Sequence, residues 1–201
     1  MIRLVALSAF LIFCRIGLAD ENWTRFRGAD ATGVVADDPD LPDSWDQTEN
    51  VAWVADVPGQ GWGSPIVVGD RVFVSSVVAE EENIKPQGGL YLGEGVRDPA
   101  KGIHHWKVFC FDLKSGDKLW EQEAFQGRPV VPRHPKSSYA AETPATDGDR
   151  LFVLFGDLGL FCYSLDGDLL CSWSTTTKKR HGSLRSIPRP ATRIGGPSVT
   201  K

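Results

Sequence analysis

Two short runs hold the side chains best suited to contacting a ligand. His104-His105 stands beside Trp106, and Arg133-His134-Pro135-Lys136 is followed by Tyr139. Paired imidazoles next to an indole can serve a metal or a ligand, or can simply pack in a loop against the indole. His134 has no Ser, Cys or carboxylate partner at a recognisable spacing, so no nucleophilic triad is supported. Glu80-Glu81-Glu82 and Asp37-Asp38 offer oxygen ligands of the kind calcium takes, although acidic runs in loops are ordinarily solvated surface. Cys110 and Cys162 lie inside the apolar runs Val108-Phe109-Cys110-Phe111 and Leu160-Phe161-Cys162-Tyr163, where a free thiol packs as a small hydrophobe. Neither a CxxC pair nor a Cys/His zinc spacing is present, and no disulfide is expected from these positions. No catalytic, metal or cofactor-binding residue is therefore assigned. His104, His105, Trp106, Arg133, His134, Lys136 and Tyr139 form the candidate binding surface.

The elements that position them are written in the composition. A chain of 201 residues makes one domain or two, and 41% hydrophobic with 24% charged residues excludes wholesale disorder and a polytopic membrane protein. Four Cys are too few for a disulfide scaffold. The 21 Gly and 13 Pro punctuate many short elements, and seven Trp need a packed interior, a balance that leans all-β.

One unit occurs twice. Ser64-Pro65-Ile66-Val67-Val68-Gly69-Asp70-Arg71-Val72-Phe73-Val74 aligns with Thr143-Pro144-Ala145-Thr146-Asp147-Gly148-Asp149-Arg150-Leu151-Phe152-Val153. A second frame follows each copy: Cys110-Phe111-Asp112-Leu113-Lys114-Ser115-Gly116-Asp117-Lys118-Leu119-Trp120 matches Cys162-Tyr163-Ser164-Leu165-Asp166-Gly167-Asp168-Leu169-Leu170-Cys171, one residue shorter in its turn. Gly69-Asp70 and Gly148-Asp149 between apolar runs mark tight hairpins, and Asp112 to Gly116 and Leu165 to Gly167 mark the next pair. Each unit predicts four short antiparallel strands, near 65–68, 71–78, 107–112 and 118–123, then 144–146, 150–155, 160–165 and 168–173. Four strands closing on a Trp in a recurring frame is the pattern of a propeller blade.

The expected organisation is a Trp-rich lead-in over 20–52, a blade over 53–120 and a second blade over 121–173. The first blade carries an insertion of 29 residues at 79–107, whose Gly and Pro exclude a long helix. Trp23, Trp45, Trp53 and Trp62 fall in the first 43 residues of the mature chain, a segment that must pack against something large. Upstream, Arg3, the apolar run Leu4–Phe13 and Gly17-Leu18-Ala19 form an export signal over 1–19, cleaved near Ala19-Asp20. That run is too short, and broken too early by Arg15, for a transmembrane helix. The mature chain is expected in the periplasm or outside the cell, with no membrane span.

The frame Asp112-x-x-x-Gly116-x-x-x-Trp120 resembles the tryptophan-docking repeat of quinoprotein-type propellers, the PQQ-like repeats. Trp23-x-Arg25-Phe26-Arg27-Gly28, Trp45, Asn50-Val51-Ala52-Trp53, Gly61-Trp62-Gly63-Ser64-Pro65 and His134–Pro144 are similar to secreted PQQ-like propeller proteins of planctomycete-type bacteria. The resemblance covers about Trp23 to Leu170 and implies an all-β, incomplete propeller of about two four-stranded antiparallel blades. Structural blade positions are Asp112, Gly116, Trp120, Gly69, Asp70, Gly148 and Asp149. Quinoprotein dehydrogenases of this type use a calcium-assisted hydride abstraction with an Asp base and, in alcohol oxidisers, adjacent cysteines; this chain has no Cys-Cys pair and no identifiable calcium set.

The pattern breaks at Cys171, where the frame calls for Trp; Trp173 falls two residues out of register, which is expected to point it away from its pocket or to require a bulge. Ser174–Lys201 carries +7 while residues 1–173 carry −11, so the tail at 174–201 reads as unstructured or out-of-frame. Its Lys178-Lys179-Arg180 run with Arg185, Arg189 and Arg193 could contact phosphates, but an exported acidic body argues against nucleic acid. The expectation is a truncated, non-catalytic module that binds a protein partner in the cell envelope, with no cofactor and with self-association through open blade edges. A fragment of a quinoprotein dehydrogenase and a functionless product of a frameshifted gene are the alternatives.

Overall fold

A computed structural model describes residues 22–39, 41–80, 89 and 98–174. The export signal, most of the insertion and the basic tail beyond Ser174 lie outside the described residues. Eight strands follow in order: β1 Ile66–Val68, β2 Arg71–Ala79, β3 His104–Asp112, β4 Lys118–Gly127, β5 Ala145–Thr146, β6 Arg150–Phe155, β7 Gly159–Ser164 and β8 Leu169–Ser174. They make two four-stranded antiparallel meanders, β1-β2-β3-β4 and β5-β6-β7-β8, and the described residues contain no helix. The chain is all-β.

Strands β2 and β3 are longer than the sequence pattern predicts. Val77, Val78 and Ala79 pair with Trp106, His105 and His104, so His104-His105-Trp106 belongs to a strand and not to a loop. Glu80 N–H donates to Ile103 O at 3.0 Å and closes the ladder, leaving 80–103 as the connection. The ladder extends because Val77 and Trp106 are both buried on one face and gain from facing each other.

Alternation divides each sheet into two faces. Ile66, Phe73, Val77, Trp106, Val108 and Cys110 of the first sheet meet Leu151, Val153, Phe155 and Tyr163 of the second in one core cluster, joined by Tyr139, Ala140 and Leu158. The opposite face of the first sheet, carrying Val72, Phe109 and Phe111, is covered by Trp53, Ala55 and Val57 from the segment ahead of β1. The outer face of the second sheet, which by the repeat matches the Phe73 and Cys110 face of the first, holds the cross-strand rows Phe152–Cys162–Cys171 and Leu154–Leu160–Trp173. Its Leu154, Leu160 and Trp173 are exposed. Trp173 therefore shares the face of Cys171, since two residues are one strand period; it is not turned to the other side.

The lead-in stitches the first strands of both sheets. Trp23 exchanges two backbone hydrogen bonds with Val67, at 2.8 and 3.0 Å, and Thr24 O accepts Thr146 N–H at 3.0 Å. Asn22 Oδ1 accepts Gly69 N–H at 2.7 Å. Packing of this segment is uneven: Trp45 and Trp62 are exposed, whereas Trp23 and Trp53 are half-buried.

Candidate functional site

The meander order sorts the connections by length. At one end lie tight turns, around Gly69-Asp70, Leu113–Asp117, Asp147–Asp149 and Leu165–Gly167. At the other end lie the connection 128–144, the short turn 156–158 and the described ends of the connection 80–103. Side chains for recognition on a rigid sheet framework are found mainly on such long connections.

The tight-turn end is where the two units are locked together. Trp120 of β4 donates its indole N–H to Leu165 O in the second sheet at 3.0 Å. Trp53, ahead of β1, donates its indole N–H to Leu113 O in the first sheet at 2.8 Å. Leu113 and Leu165 occupy the same position of the repeated frame. Each indole also lies over the glycine of its turn: a Cβ on Gly116 would sit 2.6 Å from the Trp53 ring, and one on Gly167 would sit 3.0 Å from the Trp120 ring. Both glycines have positive φ, 76° and 95°, so the frame demands glycine twice over at each site, for conformation and for space. Arg71 and Asp166 add a cross-sheet ion pair at 2.7 Å, an exposed contact worth about 0–1 kcal/mol.

Among the motif residues, Asp112 builds its turn directly. Its carboxylate accepts the N–H groups of Lys114 and Ser115 at 2.9 and 2.8 Å, and these bonds hold its pKa below the ordinary aspartate value. The frame equivalent of Asp112 is Ser164, whose hydroxyl accepts Asp168 N–H at 3.0 Å, while at the β5–β6 hairpin the turn is built by Asp147 and not by Asp149. Asp147 accepts N–H from Asp149 and Arg150 and a bidentate guanidinium from Arg150 at 2.9 and 2.6 Å. Asp70, by contrast, contributes its backbone carbonyl, accepting Leu113 N–H at 2.8 Å.

The candidate binding residues divide between interior and surface. His104, Trp106 and Tyr139 are buried. His104 meets Tyr139 edge-on at 5.4 Å between ring centroids, and Trp106 packs against Phe125 at 5.5 Å. His104 Nδ1 lies 2.9 Å from Gly102 O. Tyr139 joins the two long connections: its hydroxyl donates to Val131 O at 3.1 Å and accepts Ala100 N–H at 3.2 Å. These three residues fix the long-connection end from beneath. Trp106 Nε1 and Tyr163 OH are buried with no hydrogen-bond partner among the described residues.

Above them, His134 and Lys136 are exposed and Arg133 is half-buried. Arg133 Nη1 donates to Ser137 O at 2.6 Å and Lys136 N–H donates to His134 Nδ1 at 3.2 Å, which gives the loop a defined shape. His105 points to the opposite face of β3 from His104. Its Nδ1 lies 2.6 Å from Glu123 Oε2 and its Nε2 lies 2.9 Å from Glu80 Oε1. The two carboxylates, Glu123 foremost, raise its pKa above the ordinary imidazole value. Both ring nitrogens then donate, so His105 serves as an ion-paired clasp between the base of the 80–103 connection and β4.

The sequence pattern brought seven residues to one list; the fold brings Arg133, His134 and Lys136 to one loop and puts His105 elsewhere. No group of three or more His, Cys, Asp or Glu in metal-binding arrangement occurs among the described residues, and no helix among them is long and apolar enough to cross a membrane. Sequence reasoning passed over Trp53 as a docking residue, although its position ahead of the first unit mirrors Trp120 ahead of the second. No protein-family model and no curated protein matches the chain.

Proposed function

We propose that the chain is part of an exported propeller-repeat module of PQQ-like type whose two sheets are consecutive blades, and that its role is non-catalytic binding of a protein in the cell envelope. One observation carries the reading: the same indole-to-carbonyl docking occurs twice in the same direction, Trp53 onto Leu113 and Trp120 onto Leu165, each over a frame glycine. A head-to-tail contact that repeats with one polarity generates a ring or an open stack rather than a two-sheet sandwich. Trp53, Ala55 and Val57 pack on the first sheet as β4 packs on the second, which fits a docking contact handed on from the segment ahead of β1.

The non-catalytic role is supported by the long-connection end. Its polar loop holds Arg133 Nη1 on Ser137 O and carries His134 and Lys136 exposed. A photo-crosslinking residue placed at Lys136 in the host envelope should capture a protein, while the same probe at Asp149, at the opposite end, should not. Equal labelling at both ends, or robust dye-linked alcohol oxidation by the purified chain given calcium and pyrroloquinoline quinone, would overturn the proposal. Export is tested by fractionation and by a mature N-terminus at Asp20.

A further inference from the structure

Strand β8 stands where β4 stands in the first sheet, yet it lacks what holds β4 from outside. Trp120 fastens β4 to the following sheet, whereas the equivalent residue of β8 is Cys171, and β8 is the least buried strand of its sheet. Cys171 lies directly across from Cys162 on β7, in one register and on one face. Opposed residues of an antiparallel pair have Cα atoms about 4.5 or about 5.5 Å apart, according to their place in the ladder. Both spacings fall within the roughly 4.4–6.8 Å that a disulfide spans. Cys110, the remaining cysteine among the described residues, is buried in the first sheet.

We propose that Cys162 and Cys171 are a cross-strand disulfide site, oxidised by exchange with a disulfide donor of the glutathione class. That the bond forms in the living cell rests on the export reading above, since disulfides persist outside the cytoplasm. Burial, and then the neighbouring Cys171, pushes the Cys162 thiol up to about 11, so the exposed Cys171 opens the exchange. The Cys171 thiolate attacks one donor sulfur, forming a mixed disulfide and releasing one donor thiolate. The Cys162 thiol then gives its proton to solvent as its sulfur attacks that of Cys171, releasing the second thiolate. Two electrons pass from the cysteine pair to the donor, and the donor leaves as two thiols. The bond closes the β7–β8 hairpin around Leu165–Gly167, the turn on which Trp120 docks, and staples the strand that carries Cys171 where β4 carries its docking tryptophan.

The test uses the full chain, reduced, shown to be β-rich by circular dichroism, and equilibrated with oxidised and reduced glutathione. Alkylation after unfolding, followed by peptide mapping, reads each cysteine. The expected result is a Cys162–Cys171 link lighter by two hydrogens, Cys110 fully alkylated, and a melting temperature above that of the reduced form. Cys171→Ser should leave Cys162 fully alkylated. Recovery of Cys171 as a persistent glutathione adduct or an interchain dimer, with Cys162 alkylated at every redox ratio, overturns the proposal. Because the reaction is run on purified protein, its failure is distinct from a failure of export, which fractionation reads separately.

Discussion

Trp120 lies over Gly167 in the neighbouring sheet, close enough that a single added carbon on the glycine would meet the indole at 3.0 Å, while the same indole donates its N–H to Leu165 two residues earlier. The pair couples three demands: an outer-strand tryptophan, a carbonyl turned to receive it, and a turn that is bare of side chain. Trp53 and Gly116 repeat the relationship one sheet earlier.

Gly167→Ala should cost about 1–3 kcal/mol, from a residue forced to positive φ and from the clash with the ring. In a Trp120→Ala background the clash disappears and only the φ strain remains. A double-mutant cycle read by urea unfolding should therefore give a coupling energy of at least about 0.5 kcal/mol. Strictly additive costs would show that the ring and the glycine act independently.

The His105 clasp gives stability a definite pH dependence. Its folded pKa is raised by Glu123 first and Glu80 second, so its contribution is fully present below the ordinary imidazole value of about 6.5 and is lost as pH rises through the elevated folded value. The melting-temperature gap between the wild-type chain and His105→Gln should shrink across that rise. In an NMR titration Glu123→Gln should lower the midpoint more than Glu80→Gln. A wild-type midpoint at or below about 6.5 contradicts the clasp.

Much of this was legible from the chain because hairpin chemistry is local. The pairs Gly69-Asp70 and Gly148-Asp149, with Asp112 to Gly116, place eight strands to within a few residues, since turn residues and period-two alternation are read along the sequence. What was hidden depends on contacts across it. The strand character of His104-His105-Trp106 comes from Val77, Val78 and Ala79, far upstream, and polar His residues give no alternation to show it. Trp53 carries no Asp-x-x-x-Gly frame before it, so its equivalence to Trp120 emerges only when both indoles are seen on equivalent carbonyls. Cys162 and Cys171, each read against its own apolar neighbours, become a pair only in register. The candidate surface was half legible: residue type identified His104, Trp106 and Tyr139, but burial turns them into the support of that end.

The outer face of the second sheet carries Leu154, Leu160 and Trp173 exposed beside one another. Its counterpart in the first sheet is covered by the second sheet, and apolar area left in water favours association at about 25 cal/mol per Å² buried. Sedimentation should show concentration-dependent self-association of the full chain, and Leu154→Lys with Leu160→Lys should suppress it while the circular dichroism stays β-rich. Association unchanged by the pair of lysines would place the contact elsewhere.

The repeated docking itself is tested most directly by NMR of the chain with labelled tryptophan indoles. Cross-peaks from the Trp120 ring to the Gly167 α-protons and from the Trp53 ring to the Gly116 α-protons are predicted, with the Trp120 and Trp53 indole N–H groups exchanging more slowly than that of exposed Trp45. Absence of both sets of cross-peaks, with all three indoles exchanging at the same rate, would contradict a one-directional stack of docked sheets and remove the main support for the propeller-repeat proposal.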